Sequence, residues 1–309
     1  MIWFMRAKAR MACGLMLAAG LLATGFPAAL MSSGAQAYDY RMAVRSINAQ
    51  WQTSWEFRAL RLAVQHAPGQ HTVNLVEIDM PQDQLLDRLE NLPASERDFN
   101  VFMSVFSQAR QDRFAQVDFP VARGLLGYRL LVIREGEQSR FDGITDLDSY
   151  RSAVTTLSGT GWPDTDILKA NDVPVETGVY KQLWKKLRAG QGDGFSRSPM
   201  EIESELAEGL GAGGSPTLTI ERGLVLRYLN PLFVYMRKED SEAAEDLLIG
   251  FYNAFESGRY ERMFRGHPRT GGGMKLLEGS GRTVIRLKNP MINERIRNIP
   301  DFYWVDPDF

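Results

Sequence analysis

From Arg41 to Phe106 the hydrophobic period changes back and forth between that of a strand and that of a helix. "RMAVRSI" (41–47) reads as a strand, and "SWEFRALRLAVQHA" (54–67) carries Phe57, Leu60, Leu62 and Val64 at near-helical spacing. "HTVNLVEI" (71–78) alternates as a strand does. "MPQDQLLDRLENL" (80–92) has Pro81 at a helix start with Leu85, Leu86 and Leu89 on one face, and "FNVFMSVF" (99–106) reads as a buried strand. Strands separated by helices of this length need crossovers, which imply a mainly parallel sheet covered on both faces.

A second series of the same kind follows. The long apolar segment "VDFPVARGLLGYRLLVI" (117–133) leads to a polar stretch, "REGEQSRFDGITDLDSY". Then come a strand at 152–159, helices at 164–171 and 179–190, the short "GDGF", and a helix at 198–209. The residues at 224–238 are strand-rich, and 241–258 is a helix expected to be capped by Ser241 and closed by Gly258. "GLGAGGSP" (209–216) follows a helix and lacks the Gly-Lys-Ser/Thr of a phosphate loop, so it reads as a turn. "RTGGGMKLLEGSGRT" reads as a glycine-rich loop, and the tail with Phe302, Tyr303, Trp304 and Phe309 is too aromatic to stay in water and should pack back on the molecule.

Ahead of this, Arg6, Lys8 and Arg10 precede 21 uncharged residues, Met11 to Met31, followed by Ala35, Ala37 and the acidic, aromatic Tyr38-Asp39-Tyr40. That layout is a cleavable secretory leader, residues 1–37, which points to the periplasm. An uncleaved anchor is the competing reading, since ~20 residues span a bilayer, although Gly14, Gly20, Gly25 and Pro27 weaken a permanent helix. Removing the leader takes the formal net charge from −2 to −5. A chain so charged is poorly suited to nucleic acid or an anionic membrane. Its 272 remaining residues can fill two cores.

Catalysis finds little support. The one cysteine, Cys13, lies in the leader, which removes disulfides, thiolate metal sites and thiol nucleophiles from the mature chain. His66, His71 and His267 form no metal-binding spacing, so neither metal nor cofactor is expected, and no Gly-x-Ser-x-Gly elbow is present. A paired-carboxylate hydrolase has no positive signal, yet such pairs meet in space rather than in sequence.

What stands out is equipment for gripping a small polar solute. "SGTGWPDTD" (158–166) puts small residues between a strand and a helix, where backbone N–H groups can hold an anion or where the chain simply turns tightly. Arg110 and Arg113 follow a strand end, suited either to a bidentate anion contact or to surface ion pairs. Trp51 and Trp55 sit in the first strand-to-helix connection, as a stacking wall or as core.

Taken in order, these pieces resemble the periplasmic solute-binding proteins of the amino-acid type (family 3). The likeness spans most of residues 40–265 and is carried by "DRFAQVDFPVARGLLGYRLLVI", "SGTG", "LRAGQGDGF" and "LLIGFYNAFESGRYERMF". It implies an α/β fold of two Rossmann-like lobes with a ligand cleft between them. Lobe one would hold 38–125 plus 230–309 and lobe two 126–229, with hinges near 121–129 and 226–231. By the resemblance Arg113 matches the arginine that holds a ligand's α-carboxylate, and Ser158, Gly159, Thr160 and Gly161 match the loop that assists it; Trp51 is added as a candidate ligand contact from its place in the first strand-to-helix connection. The aspartate that would pair with the ligand's ammonium should fall in "FSRSPM", where this chain has Arg197 and Ser198. A basic residue there favours an anionic or polar ligand that is not an ordinary amino acid, unless Arg197 faces solvent or pairs with Glu201 or Glu203. The expected protein is a monomer without a catalytic step that hands a solute to a membrane permease or sensor. A sensor or scaffold that has lost its ligand is the alternative, and would show a cleft filled by its own side chains.

Overall fold

The computed structural model describes residues 37–44, 49–207 and 217–309. The expected leader, except for Ala37, the end of the first expected strand and the turn at 209–216 lie outside the described residues.

β1 (Asp39–Val44) is followed by the short α1 (Ala49–Gln52) and by α2 (Trp55–Val64). Ser54 starts α2 by accepting the Phe57 N–H at 3.3 Å, and the helix buries Trp55, Leu60 and Ala63. β2 (Thr72–Glu77), α3 (Gln82–Asn91), β3 (Phe102–Val105), α4 (Gln108–Arg113) and β4 (Ala115–Val117) follow. The chain then enters a second sheet through the fully buried β5 (Tyr128–Arg134). That series continues with α5 (Leu147–Ala153), β6 (Thr156–Gly159), α6 (Pro163–Ala170), β7 (Val175–Gly178), α7 (Tyr180–Arg188), β8 (Gly194–Arg197), α8 (Ile202–Ala207), β9 (Leu218–Ile220) and β10 (Leu224–Arg227). β11 (Leu232–Met236) returns to the first sheet, and α9 (Ser241–Glu256), α10 (Arg259–Gly266), α11 (Pro268–Lys275), β12 (Thr283–Arg286) and α12 (Glu294–Arg297) complete the chain.

β1 and β2 pair in parallel, a parallel bridge from Met42 to Val101 links them to the β3 side, and β11 lies antiparallel between β3 and β4. The second sheet runs β12-β10-β5-β8-β6-β7, with β9 also on β5. The β6/β7, β6/β8 and β10/β12 pairs are parallel, whereas β5 is antiparallel to β8, β9 and β10. The antiparallel pairs thus belong to β5 and β11, the strands that arrive from the other sheet, which is why the sheets are mixed rather than uniformly parallel.

Besides the unread strands β7 and β9, three elements depart from the sequence reading in ways that matter for packing. α5 lies in the stretch read as a polar connection; a reciprocal cap between Asp146 and Ser149 starts it, and it buries Tyr150. α11 occupies "PRTGGGMK", read as loop, because its glycines permit close approach: a Cβ on Gly271 would stand 2.0 Å from the Arg265 carbonyl oxygen, and one on Gly273 3.1 Å from Pro199. β12, expected with the first lobe, pairs with β10 and edges the second sheet. Ser241 is the first residue of α9 rather than its cap, and Gly258 closes the helix region at φ 70° as expected.

The tail does pack back. Tyr303 stacks on Tyr252 at 5.2 Å and 22° and meets Phe119 and Phe255 edge-on, while Phe302 stays 60% exposed. A second apolar cluster, with Leu131, Ile133, Tyr150, Ile167 and Ile285, fills the outer part of the second sheet.

Candidate functional site

Three arginines meet in a cavity of about 390 Å³ lined from both sheets. Glu56, Gln82, Ser104, Val105, Leu232 and Arg269 face it from the first-sheet side. Arg129, Trp162, Asp164, Arg197 and Glu201 face it from the second, with Leu126 and Asn230 on the two connections.

Each guanidinium already has an internal carboxylate. Arg129, on β5, is ion-paired with Asp164 at the start of α6; its Nε donates to the Tyr228 hydroxyl at 2.9 Å, and that hydroxyl donates to Asp164. Asn230 Nδ2 completes the group at 3.5 Å from Asp164. Burial alone would raise the Asp164 carboxyl, but the Arg129 charge and the Tyr228 and Arg129 hydrogen bonds outweigh it and hold it below the usual carboxylate range. Arg197, only 7% exposed, donates from Nε to Glu205 at 2.6 Å and from Nη2 to Glu201 at 2.9 Å. The Trp162, Tyr180 and Phe195 rings lie 5.3, 5.4 and 5.3 Å from its guanidinium carbon. Burial would weaken its hold on the proton, and the two glutamates reverse that, so the cation is secure. Arg269 Nη1 donates to both Glu56 oxygens at 3.1 Å, and its Nε reaches the Met200 carbonyl beside β8 at 3.3 Å. That single side chain joins the two sides of the cavity.

Of the ligand-contact candidates from sequence, Arg197 lines this cavity, together with Glu201, the partner suggested for it, and the others do not. Arg113 is turned away: its guanidinium is held by Asp87 and Glu90 of α3, both at 2.6 Å. Arg110 lies nearer, donating from Nη1 to the carbonyl of the cavity residue Val105 at 2.7 Å. Trp51 packs against the core, and Trp55 is fully buried with its Nε1 donating to the Val121 carbonyl at 3.1 Å.

The 158–161 loop is a tight turn. Ser158 Oγ accepts from Thr165 Oγ1 at 2.7 Å, the Thr160 N–H donates to the Gly178 carbonyl at 3.0 Å, and the Trp162 ring fills the place of a Cβ on Gly159. Thr160 and Gly161 are exposed, Gly161 at φ 75°, and the Ser198 hydroxyl accepts the Met200 N–H at 3.2 Å. The residues that do line the cavity stand just beyond: Trp162 and Asp164 lie within the quoted "SGTGWPDTD". Arg129 was signalled by being a lone charge in "GYRLLVI", which burial obliges to find a partner. No group of three or more His, Cys, Asp or Glu among the described residues is placed to hold a metal ion.

This is the two-lobed α/β fold of type II periplasmic binding proteins. No family model and no curated protein matches the chain. Solved structures do. One is the probable amino-acid ABC transporter extracellular-binding protein YtmK of Bacillus subtilis, 11% identical, with a TM-score of 0.53 over 75% of this chain and 99% of that one. Another comes from work on glutathione import through GshT and the cystine ABC importer TcyBC of Streptococcus mutans; it is 10% identical, with a TM-score of 0.51 over 75% of this chain and 95% of the other. At such identities the likeness is one of fold.

Proposed function

We propose that this chain is a secreted solute-binding protein whose cavity takes a small polar solute carrying no net charge, such as an amino-acid-like zwitterion, for a membrane importer or sensor. The observation that carries the reading is charge balance. Arg129, Arg197 and Arg269 face Asp164, Glu201 and Glu56, so an anion would have to part a guanidinium from its carboxylate and leave that carboxylate, buried at Asp164 and half-buried at Glu201 and Glu56, without its partner. The anionic solute favoured from Arg197 alone loses its support, because Glu201 and Glu205 already neutralise that residue. A zwitterion can share both members of a pair without such a loss. In this reading the lobes are 38–125 with most of 230–309, and 126–229, and the leader directs the chain to the periplasm.

The Arg269 side chain also favours a second reading, a ligand-free sensor that keeps the fold, since it already bridges the two sides of the cavity. A thermal-shift screen of residues 38–309 against amino acids, dicarboxylates, sugars and phosphates separates the two. A fitting zwitterion at a hundred times its Kd should add ~2.7 kcal/mol. The gain should be lost in Glu201→Gln and retained in Arg113→Ala. Stabilisation by dicarboxylates alone would return the anionic solute, and a silent screen would favour the sensor.

A further inference from the structure

A second hollow, of about 310 Å³, lies between α2 and α10, apart from the cavity just described. Its wall is Arg58 from α2, Arg259 and Arg262 from α10, and Met263, Gly266 and His267. No carboxylate lines it. In the central cavity each arginine is tied to aspartate or glutamate. Here the side chains of Arg58 and Arg262 make no hydrogen bond or ion pair among the described residues, and that of Arg259 makes only a 3.2 Å contact with His66 Nε2. The nearby carboxylates are committed elsewhere: Glu56 to Arg269, and Glu261 to Arg123 and Arg265.

We propose that this hollow is a binding site for a free oxyanion of the phosphate class, held by Arg58, Arg259 and Arg262. Like charges gathered in one concavity repel each other, and an oxyanion removes that repulsion while each planar guanidinium supplies paired N–H donors. His267 contributes shape rather than charge. Its Nδ1 accepts the Arg269 N–H at 3.2 Å, so Nε2 carries the proton and donates it to the Thr53 carbonyl at 2.8 Å. The mature chain's net charge of −5 opposes approach to an anionic membrane, which favours a free ion over a lipid headgroup.

Isothermal titration of residues 38–309 with inorganic phosphate, against sodium chloride of matched ionic strength, tests the site. Saturable one-to-one binding is expected, weakened about tenfold or more in Arg58→Ala/Arg262→Ala, since two charge-assisted contacts are lost. Arg58→Gln/Arg262→Gln should weaken it in the same way if the alanine pair unfolds. Glu201→Gln should leave it unchanged, which makes the result independent of what the central cavity holds. Heat no greater than with chloride, wild-type affinity retained in both double variants, or loss of binding in Glu201→Gln would overturn the assignment.

Discussion

Arg129 and Asp164 illustrate how a buried charge is made tolerable. Both are less than 10% exposed, 6% and 8%, and Tyr228 and Asn230 share the carboxylate's remaining hydrogen-bonding capacity. Removing the charge from one partner leaves the other uncompensated, so Asp164→Asn should cost ~3–5 kcal/mol in urea unfolding at neutral pH. The pH dependence has a definite sign. The Asp164 carboxyl is held low in the fold, so its contribution is complete above the unfolded value of ~3.9 and disappears as pH falls through the lower folded value. The stability gap between wild type and Asp164→Asn should therefore shrink as unfolding is repeated below pH ~4, while other carboxylates cancel in the difference.

At the scale of elements, α11 is the instructive case. Three successive glycines in a helix cost backbone entropy, and the packing around two of them explains why side chains are excluded. At Gly271 an added Cβ would meet the Arg265 backbone oxygen at 2.0 Å, whereas at Gly272 the nearest atom is Glu203 Oε2 at 3.7 Å. Gly271→Ala should lower stability by ~1–3 kcal/mol through overpacking. Gly272→Ala should raise it by up to ~1 kcal/mol through helix propensity. Thermal denaturation of the two variants reads both signs. Composition cannot separate these neighbours, which is why the segment reads as a loop in sequence. α5 was hidden for the opposite reason: its start rests on the Asp146–Ser149 cap and its burial on Tyr150, too little apolar periodicity to register.

Across the whole molecule, the C-terminal segment binds to the first connection between the sheets. Arg123, at φ 49°, donates to the carbonyls of Tyr303 and Phe302 at 3.3 and 2.9 Å, and the Val305 N–H donates back to the Arg123 carbonyl at 2.9 Å. Trp304 covers Gly124, and the Tyr128 hydroxyl donates to the Val305 carbonyl at 3.0 Å. Ending the chain at Pro300 would uncover Phe119 and Phe255 and deprive a buried guanidinium of its carbonyl partners. That truncation should destabilise by on the order of 3 kcal/mol or more, measured as a lower urea midpoint.

Apart from α5, much of the alternation of strands and helices from Tyr38 to Gly258 was legible because each element's period and start are local properties of a few consecutive residues, Pro81 before α3 among them. The inward packing of the aromatic tail was legible too, from the apolar surface it would otherwise expose. The site was not. Its pairs join residues 35, 64 and 213 positions apart, Arg129 with Asp164, Asp164 with Tyr228 and Glu56 with Arg269. Nothing in the sequence ranks Asp164 above Asp87 as a partner for an arginine. Arg113 and Arg197 look alike as residues, yet one is spent on the rim of α3 and the other is buried among three aromatic rings. Only the folded backbone decides which carboxylate stands within reach of which guanidinium, because ion pairing depends on distance in space and on desolvation.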